Sequence, residues 1–203
     1  MHAADRTESV LDAAPDEAEL RGVIESAARG DDLAWAELIK LYGRRVFALA
    51  HSRVRRADLA EEITQSVFAT IAIKLKDGGY AEQGRFEPWL FRIAMNRVRD
   101  ECRREQRQAT PTDPESFRFR AEGDTPTPGD RETDRHELGL LRTALAKLAD
   151  ADREIIELRH HAQMSFKQIA ELLDEPMGTL LARHHRALRK LRTIMEPETG
   201  GAS

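Results

Sequence analysis

Residues 165–187 read SFKQIAELLDEPMGTLLARHHRA, and this stretch decides the fold. Ser165 and Gln168 have the S-x-x-Q spacing of a capping box, in which each side chain accepts from the other residue's backbone N–H. Ile169, Leu172 and Leu173 form an apolar stripe, and Ala170 is the small residue expected where two helices cross closely. Asp174 to Gly178 supply a short turn. Thr179 then opens a helix carrying Arg183, Arg186, Arg189, Lys190 and Arg192, with no acidic residue from Thr179 to Met195. Cap, short helix, turn and basic helix in this order are the grammar of a helix-turn-helix. The buried side of the last helix is expected at Leu180, Leu188 and Leu191, with His184 at the boundary. A solvated basic face is the simpler alternative. Five cations without an acid repel one another unless a polyanion is near, however, so duplex DNA is the favoured partner.

Working outward, Leu138, Leu141, Leu145 and Leu148 predict one helix and Asp152 to His161 another, so residues 138–195 form a four-helix domain. Residues 108–137 differ in character. They hold Pro111, Pro114, Pro126 and Pro128 with many acids and few apolar side chains, which reads as a disordered, extended linker. Before it, residues 20–107 are helical again. Trp35, Leu38, Ile39 and Tyr42 fall at helix spacing, as do Ile63, Val67, Ile71 and Leu75. Gly30, Asp31 and Asp32 supply a stop and a new cap, Asp77 to Gly79 end the next helix, and Pro88 suits the first turn of a third. That third helix is expected to end at Glu101 to Arg104. Residues 1–19 read as a disordered lead and 196–203 as a tail. Nothing reads as a strand. The expected fold is all-α, two small helical domains joined by a flexible acidic linker, each domain moving about it.

The net charge of −4 looks wrong for a nucleic-acid binder until it is divided along the chain. Residues 85–107 carry 7 basic and 4 acidic side chains, and residues 138–195 carry 10 and 7. Two basic blocks therefore alternate with acidic connectors. No apolar run approaches the roughly 18 residues of a membrane span. The acidic stretch Met1 to Val10 lacks the apolar core of a secretory signal. The single Cys102 has no internal disulfide partner, and a cytoplasmic location follows as the expectation.

The second basic block lies on Phe86 to Asp100. Its apolar residues are core candidates. Arg92, Asn96, Arg99 and Arg103, at spacings of four, three and four, make a ladder suited to phosphates, and Asn96 is also able to read a base edge. Tyr80, Phe86 and Trp89 stand beside that ladder, as aromatics that stack unpaired bases do, although Phe86 and Trp89 also suit the core. A third signal, Leu59 to Phe68, contains Glu61 and Glu62. Adjacent helix residues point about 100° apart, so they do not share a proton or a metal, and an acidic docking patch is the better reading. Enzyme chemistry finds no support. His160-His161 and His184-His185 are adjacent pairs that do not face one site. No H-x-x-x-H, cysteine cluster, P-loop or nucleophile elbow occurs. Cys102 on a basic helix is expected to have a lowered pKa but has no evident base. No catalytic residue, metal or cofactor is expected.

These three segments, in this order, resemble the bacterial RNA polymerase sigma factors of the sigma-70 superfamily, in the small extracytoplasmic-function (ECF) group. Leu59 to Phe68 is similar to D-A-E-D-L-V-Q-E-x-F. Phe86, Trp89, Leu90, Arg92, Ile93, Ala94, Asn96 and Asp100 match F-x-x-W-L-x-R-I-A-x-N-x-x-x-D. Ser165 to Ala187 is similar to S-x-x-E-I-A-E-x-L-x-x-P-x-G-T-V-K-S-R-x-x-R-A. The resemblance implies a protein that binds core RNA polymerase and promoter DNA and is not itself an enzyme. Residues 20–107 would be region 2, with Asp58, Glu61, Glu62, Gln65 and Phe68 docking on polymerase. Tyr80, Arg85, Phe86, Trp89, Arg92, Asn96, Arg99 and Arg103 would recognise and melt the −10 element, with the loop from Asp77 to Arg85 capturing a flipped base. Residues 138–195 would be region 4, reading the −35 duplex through Ser165, Thr179, Arg183, His185, Arg186, Arg189 and Lys190. An anti-sigma factor is a further partner the family allows. The chain departs from the pattern at Leu181 and Ala182, where Lys-Ser is usual. It departs again at Asp174 and Glu175, acids placed near phosphates. A helix-turn-helix regulator acting without polymerase is the alternative, and it leaves the first domain's motifs unexplained.

Overall fold

The computed structural model describes residues 17–80, 84–108 and 132–195. Among them there are eight helices and no strand: α1 (Glu17–Ala28), α2 (Asp32–Val54), α3 (Ala57–Lys76), α4 (Phe86–Gln108), α5 (Glu132–Ala146), α6 (Asp150–His160), α7 (Phe166–Leu173) and α8 (Met177–Met195). The all-α expectation holds. α4 runs to Gln108, past its expected end, and α5 starts at Glu132, inside the stretch read as linker. The remaining linker residues, 109–131, lie outside the described residues, as do the lead before Glu17 and the tail after Met195.

Local chemistry sets the helix ends. Asp31 caps α2 by accepting from the Leu33 and Ala34 N–H groups, and Gly30 before it takes φ of 89°, a conformation that glycine adopts without strain. α3 stops at Lys76, followed by Gly78 at φ 68°. α2 buries Ala34, Leu38, Tyr42, Val46, Leu49, Ala50 and Val54, a stripe of three- and four-residue steps. It faces Leu59, Ile63, Val67 and Ile71 of α3 and Phe86, Leu90, Ala94 and Val98 of α4, all buried in one cluster. Trp35 Nε1 donates to the Ala27 carbonyl at 3.0 Å and ties α1 to this bundle.

The second half builds a smaller core of Ala144, Leu148, Ile156, Ala187 and Leu191 between α5, α6 and α8. Leu188 was expected inside but is 41% exposed, and Ala187 takes its place. The independently moving domains expected from sequence are instead packed together. Ile155, Leu158, Met164, Ile169 and Leu172 join the same buried cluster as the first bundle. α7 lies along α4 and α6 touches α2. Glu157 on α6 is 1% exposed and pairs with Arg53 of α2 and with Arg153 of its own helix. Arg153 in turn donates to the Ser52 carbonyl at the end of α2, 2.9 Å. Arg45 of α2 donates to the Ala162 carbonyl beyond α6, 2.7 Å. Each half thus satisfies carbonyls near a helix end of the other.

Candidate promoter and polymerase surfaces

The α4 ladder exists as a face, but its upper part is engaged. Arg92 Nη2 donates to the carbonyls of Glu171 and Leu172, both at 2.9 Å, in the last turn of α7. Arg99 pairs with Glu154 of α6 and lies 3.5 Å from Asn96 Oδ1. Arg103 is 70% exposed, 3.6 Å from Asp100. Arg85, exposed at the start of α4, lines a cleft with Ala170, Glu171, Asp174, Glu175 and Pro176.

Beside the ladder, Tyr80 packs on Trp89, centroids 4.5 Å apart, and edge-on to Phe86 at 5.5 Å. Phe86 itself is 2% exposed and stacks on Tyr42, so it is a core anchor with no face left for a base. Tyr80 and Trp89 remain partly exposed. Residues 81–83 of the expected base-capturing loop lie outside the described residues.

On α3, Glu61, Glu62 and Gln65 are exposed side by side, with Gln65 Nε2 3.4 Å from Glu61 Oε1. Asp58 is held by Arg56, whose hydrogen bond, followed by the Leu59 amide, keeps its carboxyl below the usual range. Phe68, grouped with this face from the sequence, is buried at 9% exposure and supports the helix from beneath. A groove between α3 and α4 is lined by Glu62, Ile63, Ser66, Arg97, Glu101 and Arg104.

The helix-turn-helix is α7, its turn and α8. Ser165 Oγ accepts from the Gln168 N–H at 3.2 Å and Gln168 Oε1 accepts from the Ser165 N–H at 2.8 Å, so the capping box is complete. Asp174 takes φ of 56° and ends α7 with its N–H on the Ala170 carbonyl. The Pro176 carbonyl receives the Thr179 and Leu180 N–H groups and starts α8. Thr179, His185, Arg186, Arg189 and Lys190 are exposed on that helix. Arg183 is not: both ends of its guanidinium lie 3.0 Å from the Glu175 carboxylate. The turn acid that looked out of place beside phosphates thus fixes a basic residue of the recognition helix.

Two chemical expectations change. Burial pushes the Cys102 thiol up, not down, because desolvation outweighs the attraction of Arg53. The histidine doublets do meet, since His160 and His184 bring their Nε2 atoms to 3.5 Å, with Phe166 edge-on to His184. Among the described residues no group of three His, Cys, Asp or Glu side chains is placed to hold a metal ion. The contacts between the halves were missed from the sequence. Their one visible signal was Glu157, a charge inside the apolar run Ile155, Ile156, Leu158.

Residues 38–108 match the family model described as Sigma-70 region 2, and residues 144–193 match Sigma-70, region 4. The RNA polymerase sigma factor NccH of Alcaligenes xylosoxydans xylosoxydans is 31% identical over 84% of this chain and 91% of its own length. The chain belongs to the ECF RNA polymerase sigma factors. Also similar to this sigma factor are the ECF sigma factor RpoE of Cereibacter sphaeroides, 31% identical over 81% of this chain and 88% of its own, and SigW of Bacillus subtilis, 25% identical over 83% and 92%. The fold matches that of CnrH, solved in complex with the cytosolic domain of CnrY. There the TM-score is 0.65, with 24% identity over 91% of this chain and all of that one. In this sigma factor, α2–α4 carry the region 2 match and α5–α8 the region 4 match. No described helix is long and apolar enough to cross a membrane.

Proposed function

We propose that this sigma factor binds core RNA polymerase through the exposed Glu61, Glu62 and Gln65 of α3 and directs it to promoters. In this reading α4 binds and opens the −10 element, and α8 reads the −35 duplex. The observation that carries the proposal is the order of three surfaces on one chain: an acidic docking helix, an arginine ladder beside partly exposed Tyr80 and Trp89, and a capped helix-turn-helix ending in an acid-free basic helix. Melting needs no fuel, because unstacking a base costs a few kcal/mol, which base contacts and phosphate pairing offset. The chain would therefore act without catalysis of its own, in the cytoplasm where polymerase and promoters meet. An anti-sigma partner is proposed from the solved relative RpoE, whose complex with the anti-sigma factor NepR from Bartonella quintana has a similar fold.

The test is co-purification with core polymerase, then sequencing of the transcripts the assembled enzyme starts. The expected result is a stoichiometric complex and a set of start sites sharing −10 and −35 elements. Site-specific duplex binding by the chain alone, with no affinity for core polymerase, would favour the regulator reading instead.

A further inference from the structure

The groups that α6 and α7 present to α4 are carboxylates and carbonyl oxygens. Arg92 meets the Glu171 and Leu172 carbonyls, Arg99 meets Glu154, and Glu87 at the start of α4 accepts from Gln168 Nε2 at 2.9 Å. These acceptors do for the arginines what phosphate oxygens do: they take charge-assisted hydrogen bonds from a guanidinium. The face that would hold the melted strand is therefore occupied by part of the chain itself.

We infer that in the free sigma factor α6 and α7 are an internal competitor for single-stranded DNA on α4. The inference rests on reading α4 as the −10 face and extends it. The arginines engaged in the closed arrangement, Arg92 and Arg99, are those the strand needs, so the two states exclude each other. Arg103, the rung farthest along α4 from α7, stays exposed and leaves a foothold for the incoming strand. The closed state is held by ion pairs and arginine–carbonyl bonds around a modest apolar contact through Ile169 and Leu172. Such a contact opens more readily than a purely apolar core. Partly exposed charge pairs are worth little each, and their partners are easily exchanged for phosphates.

The test uses the full chain with two substitutions, Glu154→Gln and Gln168→Glu. Together they leave the net charge unchanged, so added attraction for DNA cannot explain a gain. Gln168→Glu keeps an acceptor at the third position of the capping box and sets a carboxylate against Glu87. Glu154→Gln removes the charge facing Arg99. Neither residue belongs to the proposed polymerase or DNA surfaces. The two readouts are the radius of gyration by small-angle scattering and the binding of a fluorescein-labelled, mixed-sequence single strand. The expected result is an expanded chain that binds the strand about tenfold more tightly, as a larger open fraction requires, while affinity for core polymerase is unchanged. An expanded chain that binds no more tightly would overturn the competition. A chain that neither expands nor gains affinity would overturn the role of these contacts. Adding Arg92→Ala and Arg99→Ala to the expanded variant separates the two levels of the argument. Loss of the gained affinity supports both levels, and retention of it removes α4 as the strand-binding face.

Discussion

Gln168 bonds in two directions at once, its Oε1 accepting from the Ser165 N–H at 2.8 Å and its Nε2 donating to Glu87 Oε2 at 2.9 Å. One side chain both caps α7 and fastens it to α4. Replacing Ser165 with Ala removes only the cap and should cost about 1 kcal/mol of stability. Gln168→Ala removes the cap and the fastening together and should cost more. Urea denaturation of both variants checks the order, and equal losses would show that the Glu87 bond contributes nothing.

Glu157 lies buried between Arg53 and Arg153, whose side chains are 13% and 15% exposed. Glu157→Gln leaves two poorly solvated cations without their counter-charge. The expected loss is about 3–5 kcal/mol, as for breaking a buried pair from one side. The urea midpoint measures it, and a change of a few tenths of a kcal/mol would mean that water reaches these arginines.

Glu61 and Glu62 are exposed on α3. Changing both to Lys should leave the thermal midpoint near that of the unaltered chain and weaken binding to core polymerase, measured by competition with a labelled sigma factor. Unchanged core binding would place the docking surface elsewhere.

On α8, Arg186 and Lys190 are both exposed but differ in proposed role. Arg186→Ala should relax preference at one base pair, losing about 1–3 kcal/mol of discrimination. Lys190→Ala should weaken binding on every sequence and lower the salt slope by about one. Holoenzyme binding to a randomised −35 library at two salt concentrations resolves the two. A uniform loss in both variants would make α8 an electrostatic anchor only.

His160 and His184 titrate below their ordinary value of 6.5, chiefly through burial, with Arg159 repelling a proton on either and His160 adding to the effect on His184. The unfolded chain therefore takes up protons first as pH falls. Stability is full above about 6.5 and declines as pH drops through the lowered folded values. His184→Gln should flatten part of that decline in a series of urea midpoints against pH. An identical slope in the variant would remove this pair as its source.

The sequence by itself determined the helices, their caps and the kind of surface each carries. Capping, period and turn chemistry act within a few residues, which is why Asp31, the Ser165–Gln168 box and the basic run on α8 were legible before any coordinates. The three motifs, being local in the same sense, carried the family as well. Only the tertiary structure decided which surfaces are free. Arg92, Arg99 and Arg183 look alike in sequence to Arg103 and Arg186, yet the first three are held by Leu172, Glu154 and Glu175. Partners of Arg92 and Arg99 lie 80 and 55 residues away along the chain. No periodicity records such a pairing, because it depends on how two separately capped bundles settle their buried charges against each other.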